Sequence, residues 1–434
     1  MQKVISKYGL AAHLGLLTVA PLVLLPLFGE VTSAVTMLWL TLVAAAWLIM
    51  EPSRIGDEAP HDARARVIKT MVRDPFMYFL LLMIALAAFR WINSGIALKY
   101  DAELAKWALG EPTFPLMPGS VSGAAFLPFV TSVSLLVVLA GIRHGLGRKA
   151  RTAFALMVAI IAAFSALLLQ SASSGLAYVY ALLLSVCAIF GKNEESSLKG
   201  EMLSTVAVVG TMIGVVKFCS KFEIAVALGA FLLLVVIAYI VTASRLEGGS
   251  SFRMGITFIA AFAFAGIALI YYNRIPLNLE FFEESLFAKM RVMSKISFNV
   301  FKENPWIGTG LGSLPIDIKF FAKAADYRVI FPGSMEGLTV WWYMIVERGV
   351  IGSALLLVGF GFIGWTYIHR VVIQFFEMTW RPFNFLFIVA TLFTIAVGFF
   401  SVELLKCDVL MLMVSTLAIS ASSTPRKVVE SNGK

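Results

Sequence analysis

Residues 9–50, GLAAHLGLLTVAPLVLLPLFGEVTSAVTMLWLTLVAAAWLIM, decide what kind of protein this is: Glu30 is their only Asp, Glu, Lys or Arg. The stretch holds two apolar runs, 9–28 and 31–50, separated by Gly29-Glu30. As helix, about 20 residues cross a bilayer core of about 30 Å, and the glycine marks where the chain turns back. Because the first run leads into a second after a single turn, no cleavable signal peptide is expected.

Outward from there, the pattern recurs at 76–90, 122–142, 152–170, 175–191, 203–219, 224–243, 254–272, 349–368, 383–400 and 407–421. Composition agrees, with 59% hydrophobic and 14% charged residues and a mean hydropathy of +0.88. Soluble domains carry about 25% charged residues, so an ordinary soluble enzyme is excluded. Outer-membrane barrels need segments of about 10 residues with alternating polarity, and these runs do not alternate. The expected fold is an all-α membrane protein of about twelve transmembrane helices. A net charge of +9 then reflects topology and contact with anionic membrane lipids rather than nucleic acid. Cys187, Cys219 and Cys407 are scattered, with no disulfide or metal-ligand spacing. No metal site and no cofactor is expected.

Twelve spans put both termini on one side. Lys3, Lys7, Arg54, Arg64, Arg66, Lys69, Arg73, Arg143, Arg148, Lys149, Arg151, Arg426 and Lys427 all fall on that side, which the positive-inside rule makes cytoplasmic. The chain divides into 1–272, helices one to nine with a smaller outer loop at 91–121; 273–348, a large outer loop; and 349–434, helices ten to twelve and a cytoplasmic tail. The large loop is rich in aromatic and aliphatic residues (LEFFEESLFAKM, ISFNVF), which argues against disorder. Within 283–302, Leu286, Met290, Met293, Ser297 and Phe301 recur at helical spacing opposite Lys289, Lys295 and Lys302. This predicts an amphipathic helix along the outer membrane surface; a helix that merely caps the bundle fits the same pattern.

Function in a membrane bundle is sought among polar residues that hydrocarbon would exclude. Arg90 and Lys217 are cations at the outer boundary, and snorkelling to headgroups accounts for either alone. Lys217 and Lys221 would stand one turn apart if their helix reaches Lys221, an unfavourable pairing unless an anion sits between them. The sharpest signal is Glu303–Leu314, ENPWIGTGLGSL. Asn304-Pro305 ends the preceding helix, and Gly308, Gly310 and Gly312 allow close backbone approach or positive φ. No strand precedes the glycines and no Gly-Lys-Ser/Thr follows, so neither a dinucleotide fold nor a P-loop fits. From glycine spacing alone, a flexible connector is the simpler reading.

Asn304-Pro305-Trp306-Ile307-Gly308-Thr309-Gly310-Leu311-Gly312 resembles the NPxxGxGxG signature in the large periplasmic loop of the O-antigen ligase and polymerase family. That family's loop closes on ExGxxG at the start of the next span, which Glu347, Gly349 and Gly352 match. The resemblance covers 290–355 in sequence and most of the chain in topology. It implies a GT-C-like layout with the periplasmic loop between helices nine and ten, in the bacterial inner membrane. The implied reaction moves a glycan from undecaprenyl diphosphate onto a sugar hydroxyl, on another glycan (polymerase) or on lipid A core (ligase). Polysaccharide assembly proteins would be further partners.

The sequence also departs from that family. Its His-Asn pair falls on Leu338-Thr339, and the four histidines, His13, His61, His144 and His369, lie elsewhere. Its Ser-Arg-Gly falls on Ser173-Ser174-Gly175, without the arginine. A loop arginine is approximated by Arg291. The chemistry requires cations on the departing diphosphate, for which Arg291, Lys217, Lys221, Arg328 and Arg90 are the candidates. An acceptor hydroxyl also uses a base, and Glu336 is the candidate there. Two rivals stay open: a transporter or flippase of lipid-linked glycans, and a catalytically inactive subunit of an assembly complex.

Overall fold

The computed structural model describes residues 2–52, 59–92, 98–101, 106–109, 122–172, 174–190, 198–243, 248–272, 284–310, 313–330, 335, 337–376 and 382–422. It is helical: α1 Gln2–Met50, α2 Pro60–Val72, α3 Pro75–Ile92, α4 Ser122–Ala140, α5 Arg148–Leu168, α6 Leu176–Phe190 and α7 Leu198–Phe218. These are followed by α8 Lys221–Ala243, α9 Gly248–Tyr271, α10 Glu284–Glu303, α11 Leu314–Phe321, α12 Val340–Phe376, α13 Pro382–Gly398 and α14 Cys407–Ser422. Each apolar run of the sequence falls on a helix, the first two on the two arms of α1. Those arms part at Gly29, whose φ of 74° breaks the helix where the sequence places a turn.

Four helical stretches are both long and apolar enough to cross a membrane: Tyr8–Met50, Phe126–Gly145, Ala150–Leu168 and Val340–Gly359. Shorter apolar helices accompany them, including Leu176–Val186 and Met202–Phe218. The surface of the bundle is apolar as well, with Val31, Trp39, Ile259, Ile270, Val358 and Trp365 exposed. Exposed apolar surface on this scale belongs against lipid rather than water. This is a helical membrane protein.

At the centre runs α6, on which every residue from Leu176 to Leu184 is completely buried, as expected of a helix that is apolar all round. It is enclosed by α5, α7, α8, α13 and α14. Small residues let α7 approach both α5 and α6 closely: a Cβ at Gly210 would come within 2.5 Å of the Ala163 Cβ, and one at Gly214 within 2.5 Å of the Tyr178 ring. Hydroxyls tie other helices together, Thr41 to Ser134 at 2.7 Å and Tyr180 to Thr394 at 2.6 Å.

One expectation changes and another gains a detail. The 91–121 segment, expected as a loop, contains a short antiparallel hairpin, Leu98–Asp101 with Lys106–Leu109, beside the helices of a fold that is otherwise all-α among the described residues. Its strands pair Tyr100 with Trp107 and Asp101 with Lys106. Lys217 and Lys221 do not share a helix, because α7 ends at Phe218 and α8 starts at Lys221. The break is built by Ser220 and Glu223: the Ser220 N–H donates to Glu223 Oε2 at 2.9 Å and the Glu223 N–H to Ser220 Oγ at 3.3 Å. This reciprocal pair is a capping box, legible in Ser-Lys-Phe-Glu, and it removes the reason to place an anion between the two lysines.

Candidate functional site

The site is built where the 304–314 segment meets α12. Gly349 interrupts α12 with φ 65°. In a continuous helix the N–H groups of Val350 and Ile351 would bond the carbonyls of Val346 and Glu347. Here Val350 N–H donates to Pro305 O at 2.9 Å and Ile351 N–H to Trp306 O at 3.1 Å. The freed carbonyls are taken by the loop in return, Val346 O by Thr309 N–H at 2.9 Å and Glu347 O by Gly310 N–H at 3.1 Å. The loop is thus spliced into the helix break, and these four freed backbone groups are satisfied. Two glycines make this possible. A Cβ on Gly308 (φ 80°) would stand 2.4 Å from Gly349 N, and one on Gly349 would stand 2.4 Å from Trp306 C. The two glycine motifs of the sequence are therefore one structural unit.

Carboxylates line its inner side. Glu347 is buried; its Oε1 accepts a long hydrogen bond of 3.5 Å from Leu314 N–H, at the first residue of α11. The Tyr343 hydroxyl donates to the same carboxylate, and the Arg348 guanidinium is close by. Asp317 of α11 is buried beside the Thr309 and Ser313 hydroxyls, which lie 2.7 Å apart. Burial raises its carboxyl above the usual carboxylate range, and the two hydroxyls partly oppose that. A carboxyl with a raised folded-state pKa holds its proton more tightly than in the unfolded chain, so its contribution to stability is present at low pH and lost as pH rises through the raised value. Thermal unfolding in detergent checks this. The parent is expected to lose stability relative to Asp317→Asn as pH rises from about 4, the ordinary carboxylate value, and a constant difference between them would contradict it.

A second polar group lies beneath this unit, where α13 turns into α14. The turn Val402–Leu405 packs against the start of α12, and the Trp341 and Phe399 rings stand 6.0 Å apart. Glu403 Oε2 accepts from Ser174 Oγ at 2.7 Å, and Oε1 pairs with Lys406 Nζ at 2.9 Å. Both charged side chains are near 40% exposed, at 37% and 41%, so the pair adds little stability but is open to a ligand. None of the sequence motifs above includes this turn. Its signal in the sequence is Glu403, Lys406 and Asp408 within six residues, between two strongly apolar stretches.

The predicted site residues are distributed as follows. Arg291 is exposed on α10 and has no hydrogen bond or ion pair among the described residues. A Cβ on Gly337, the residue after Glu336, would stand 2.8 Å from Met290 N of α10, so the chain returns beside the turn that carries Arg291. Arg328 is exposed at the end of a short 3-10 turn. Lys217 donates to Leu169 O at 2.6 Å and Ala166 O at 3.3 Å, closing the end of α5. Asn304 O accepts from Gly308 N–H at 2.9 Å. Gly310 (φ 109°) is a third positive-φ position in the splice. Glu336, Gly312 and the side chains of Arg90 and Lys221 lie outside the described residues. At the positions matched to the family's His-Asn pair, Leu338 is fully buried in the loop's apolar core and the Thr339 hydroxyl caps α12 by accepting from Trp342 N–H at 3.2 Å.

No protein-family model and no curated protein matches this chain.

Proposed function

We propose that the protein is an inner-membrane, metal-independent glycosyltransferase of the O-antigen ligase and polymerase type. Its substrates would be an undecaprenyl-diphosphate-linked glycan and a sugar hydroxyl. The observation that carries the proposal is the splice: the two motifs that resemble the family's meet through four backbone hydrogen bonds although they lie about 40 residues apart in the chain. Polymerase is favoured over ligase because the histidine expected of a ligase is replaced by buried Leu338.

In this proposal the glycosidic bond to phosphate breaks and a bond to the acceptor oxygen forms. The electron pair leaves with the lipid diphosphate, and the acceptor's proton passes to a carboxylate. Arg291, exposed and without a hydrogen bond or ion pair among the described residues, neutralises the diphosphate, with Arg328 as a second cation. Glu336 takes the proton, and Glu403 with Lys406 orients polar groups of the acceptor. A lipid diphosphate is already a good leaving group, so charge stabilisation supplies much of the rate and a carboxylate can stand where the family uses histidine. Glu336→Gln is expected to lower turnover by at least about 100-fold, and Glu403→Gln to raise KM more than it lowers kcat. Turnover above about a tenth of the parent's in Glu336→Gln would leave cation stabilisation as the main source of catalysis.

The proposal requires the 273–337 segment to face outward, with both termini cytoplasmic and twelve spans. Reporter fusions after Gly110 and Ala325 are expected to signal the outer compartment, and fusions after Asp62 and Lys149 the cytoplasm. An inward 273–337 segment would place the loop on the wrong side for the lipid-linked donor and end the proposal. The buried Leu338 and capping Thr339 also support a second reading, an inactive subunit that binds the lipid-linked glycan without transferring it.

A further inference from the structure

The other end of the bundle carries a feature that glycan transfer does not use. Between α1 and α3 lies α2, and its two sides differ. Ala63, Val67 and Asp74 just beyond it are buried. The helix is pinned there: Asp74 Oδ2 accepts from Arg143 Nη2 at 2.8 Å and stands 3.0 Å from His144 Nε2. The Arg66 Nη1 donates to His144 O at 3.4 Å.

The opposite side is open. Ile68 and Val72 are 51% and 59% exposed, and Ala65 is exposed beside them. At about 100° per residue, these three fall within roughly 60° of arc. Arg64 lies on one flank of that arc, and Lys69 and Arg73 lie on the other. All three cations are exposed. Lys69 and Arg73 have no hydrogen bond or ion pair among the described residues, and Arg64 uses its Nε on Met50 O at 2.8 Å. Beyond the first turn, where His61 and Asp62 are exposed, α2 thus carries an apolar stripe bordered on both flanks by cations, the pattern of a helix lying in a membrane interface. The stripe enters the acyl boundary while arginine and lysine reach phosphates at headgroup level.

We infer that α2 is an in-plane anchor that binds anionic phospholipid through Arg64, Lys69 and Arg73, with Ile68 and Val72 seated among the acyl chains. The inference does not depend on the glycosyltransferase reading, and its test involves no glycan.

The whole protein in detergent is titrated with phosphatidylglycerol or phosphatidylcholine, and bound lipids are counted by native mass spectrometry. The parent is expected to prefer phosphatidylglycerol by at least about tenfold at low salt, given roughly fivefold for each cation near the headgroups. That preference should shrink between 50 and 500 mM NaCl as the charges are screened. Arg64→Gln/Lys69→Gln/Arg73→Gln is expected to lose it, whereas Lys295→Gln/Lys302→Gln, on α10, should keep it. Ile68→Asn/Val72→Asn should also weaken phosphatidylglycerol binding, because the stripe seats the chains. A preference unchanged in the triple variant, or unaffected by salt in the parent, would overturn the inference. So would binding lost with the charges but untouched by Ile68→Asn/Val72→Asn, which would mark a soluble polyanion as the occupant.

Discussion

Gly349→Ala and Gly308→Ala are each expected to prevent the spliced unit from folding, leaving little intact protein in the membrane. Both glycines take positive φ, at 65° and 80°, which costs a residue with a side chain about 1–3 kcal/mol. The larger effect is steric. A methyl group at either position would lie 2.4 Å from backbone atoms of the other segment, and backbone cannot rotate away as a flexible side chain can. Parting the segments would break the four hydrogen bonds of the splice and leave their N–H and C=O groups buried without partners. The combined loss is expected to be at least about 3 kcal/mol, a large share of the stability of a domain. Limited proteolysis and thermal unfolding in detergent measure it. Gly229→Ala is the control: a Cβ there meets nothing within 4 Å and its φ is ordinary, so alanine should be neutral or stabilise α8 by up to about 1 kcal/mol. If Gly349→Ala were as stable as Gly229→Ala, the splice would not hold the unit together.

Arg291→Ala is expected to leave the protein folded and abundant while lowering glycan transfer by about 10²- to 10³-fold, the usual effect of removing one group that stabilises developing negative charge. Its exposure on α10 is why stability should not change. Arg291→Lys should recover only part of the activity, since an ammonium cannot make the planar bidentate contact of a guanidinium with phosphate oxygens. Full activity in both variants would make Arg291 an ordinary interfacial charge.

The helices were legible because their signal is length and apolarity, which need no partner to be read: α6 is apolar all round in sequence and buried all round in the bundle. The end of α10 was legible for a local reason, as Asn304-Pro305 stops a helix whatever surrounds it. α10 itself buries Met293, Ser297 and Val300 while Lys295 and Lys302 stay exposed, close to the expected faces. The break at Gly349 was not read, because a glycine near a helix start has many uses and this one depends on a loop about 40 residues earlier in the chain. The Glu403, Lys406 and Ser174 group escaped for the same reason: Ser174 and Glu403 are 229 residues apart. The separation of Lys217 from Lys221 was legible in the Ser220 and Glu223 capping box, and the apolar runs on either side obscured it.

The most direct measurement follows both products of the proposed reaction. The purified protein, in phosphatidylglycerol-containing vesicles, is given undecaprenyl diphosphate carrying a short glycan together with a glycan acceptor. Released lipid diphosphate and extended glycan are then quantified by chromatography. Glycosyl transfer predicts one lipid diphosphate released for each glycosidic bond formed, with both products falling together in Arg291→Ala. A parent protein that binds the donor but releases no lipid diphosphate and extends no glycan would contradict the account, and would identify the chain as a binding subunit instead.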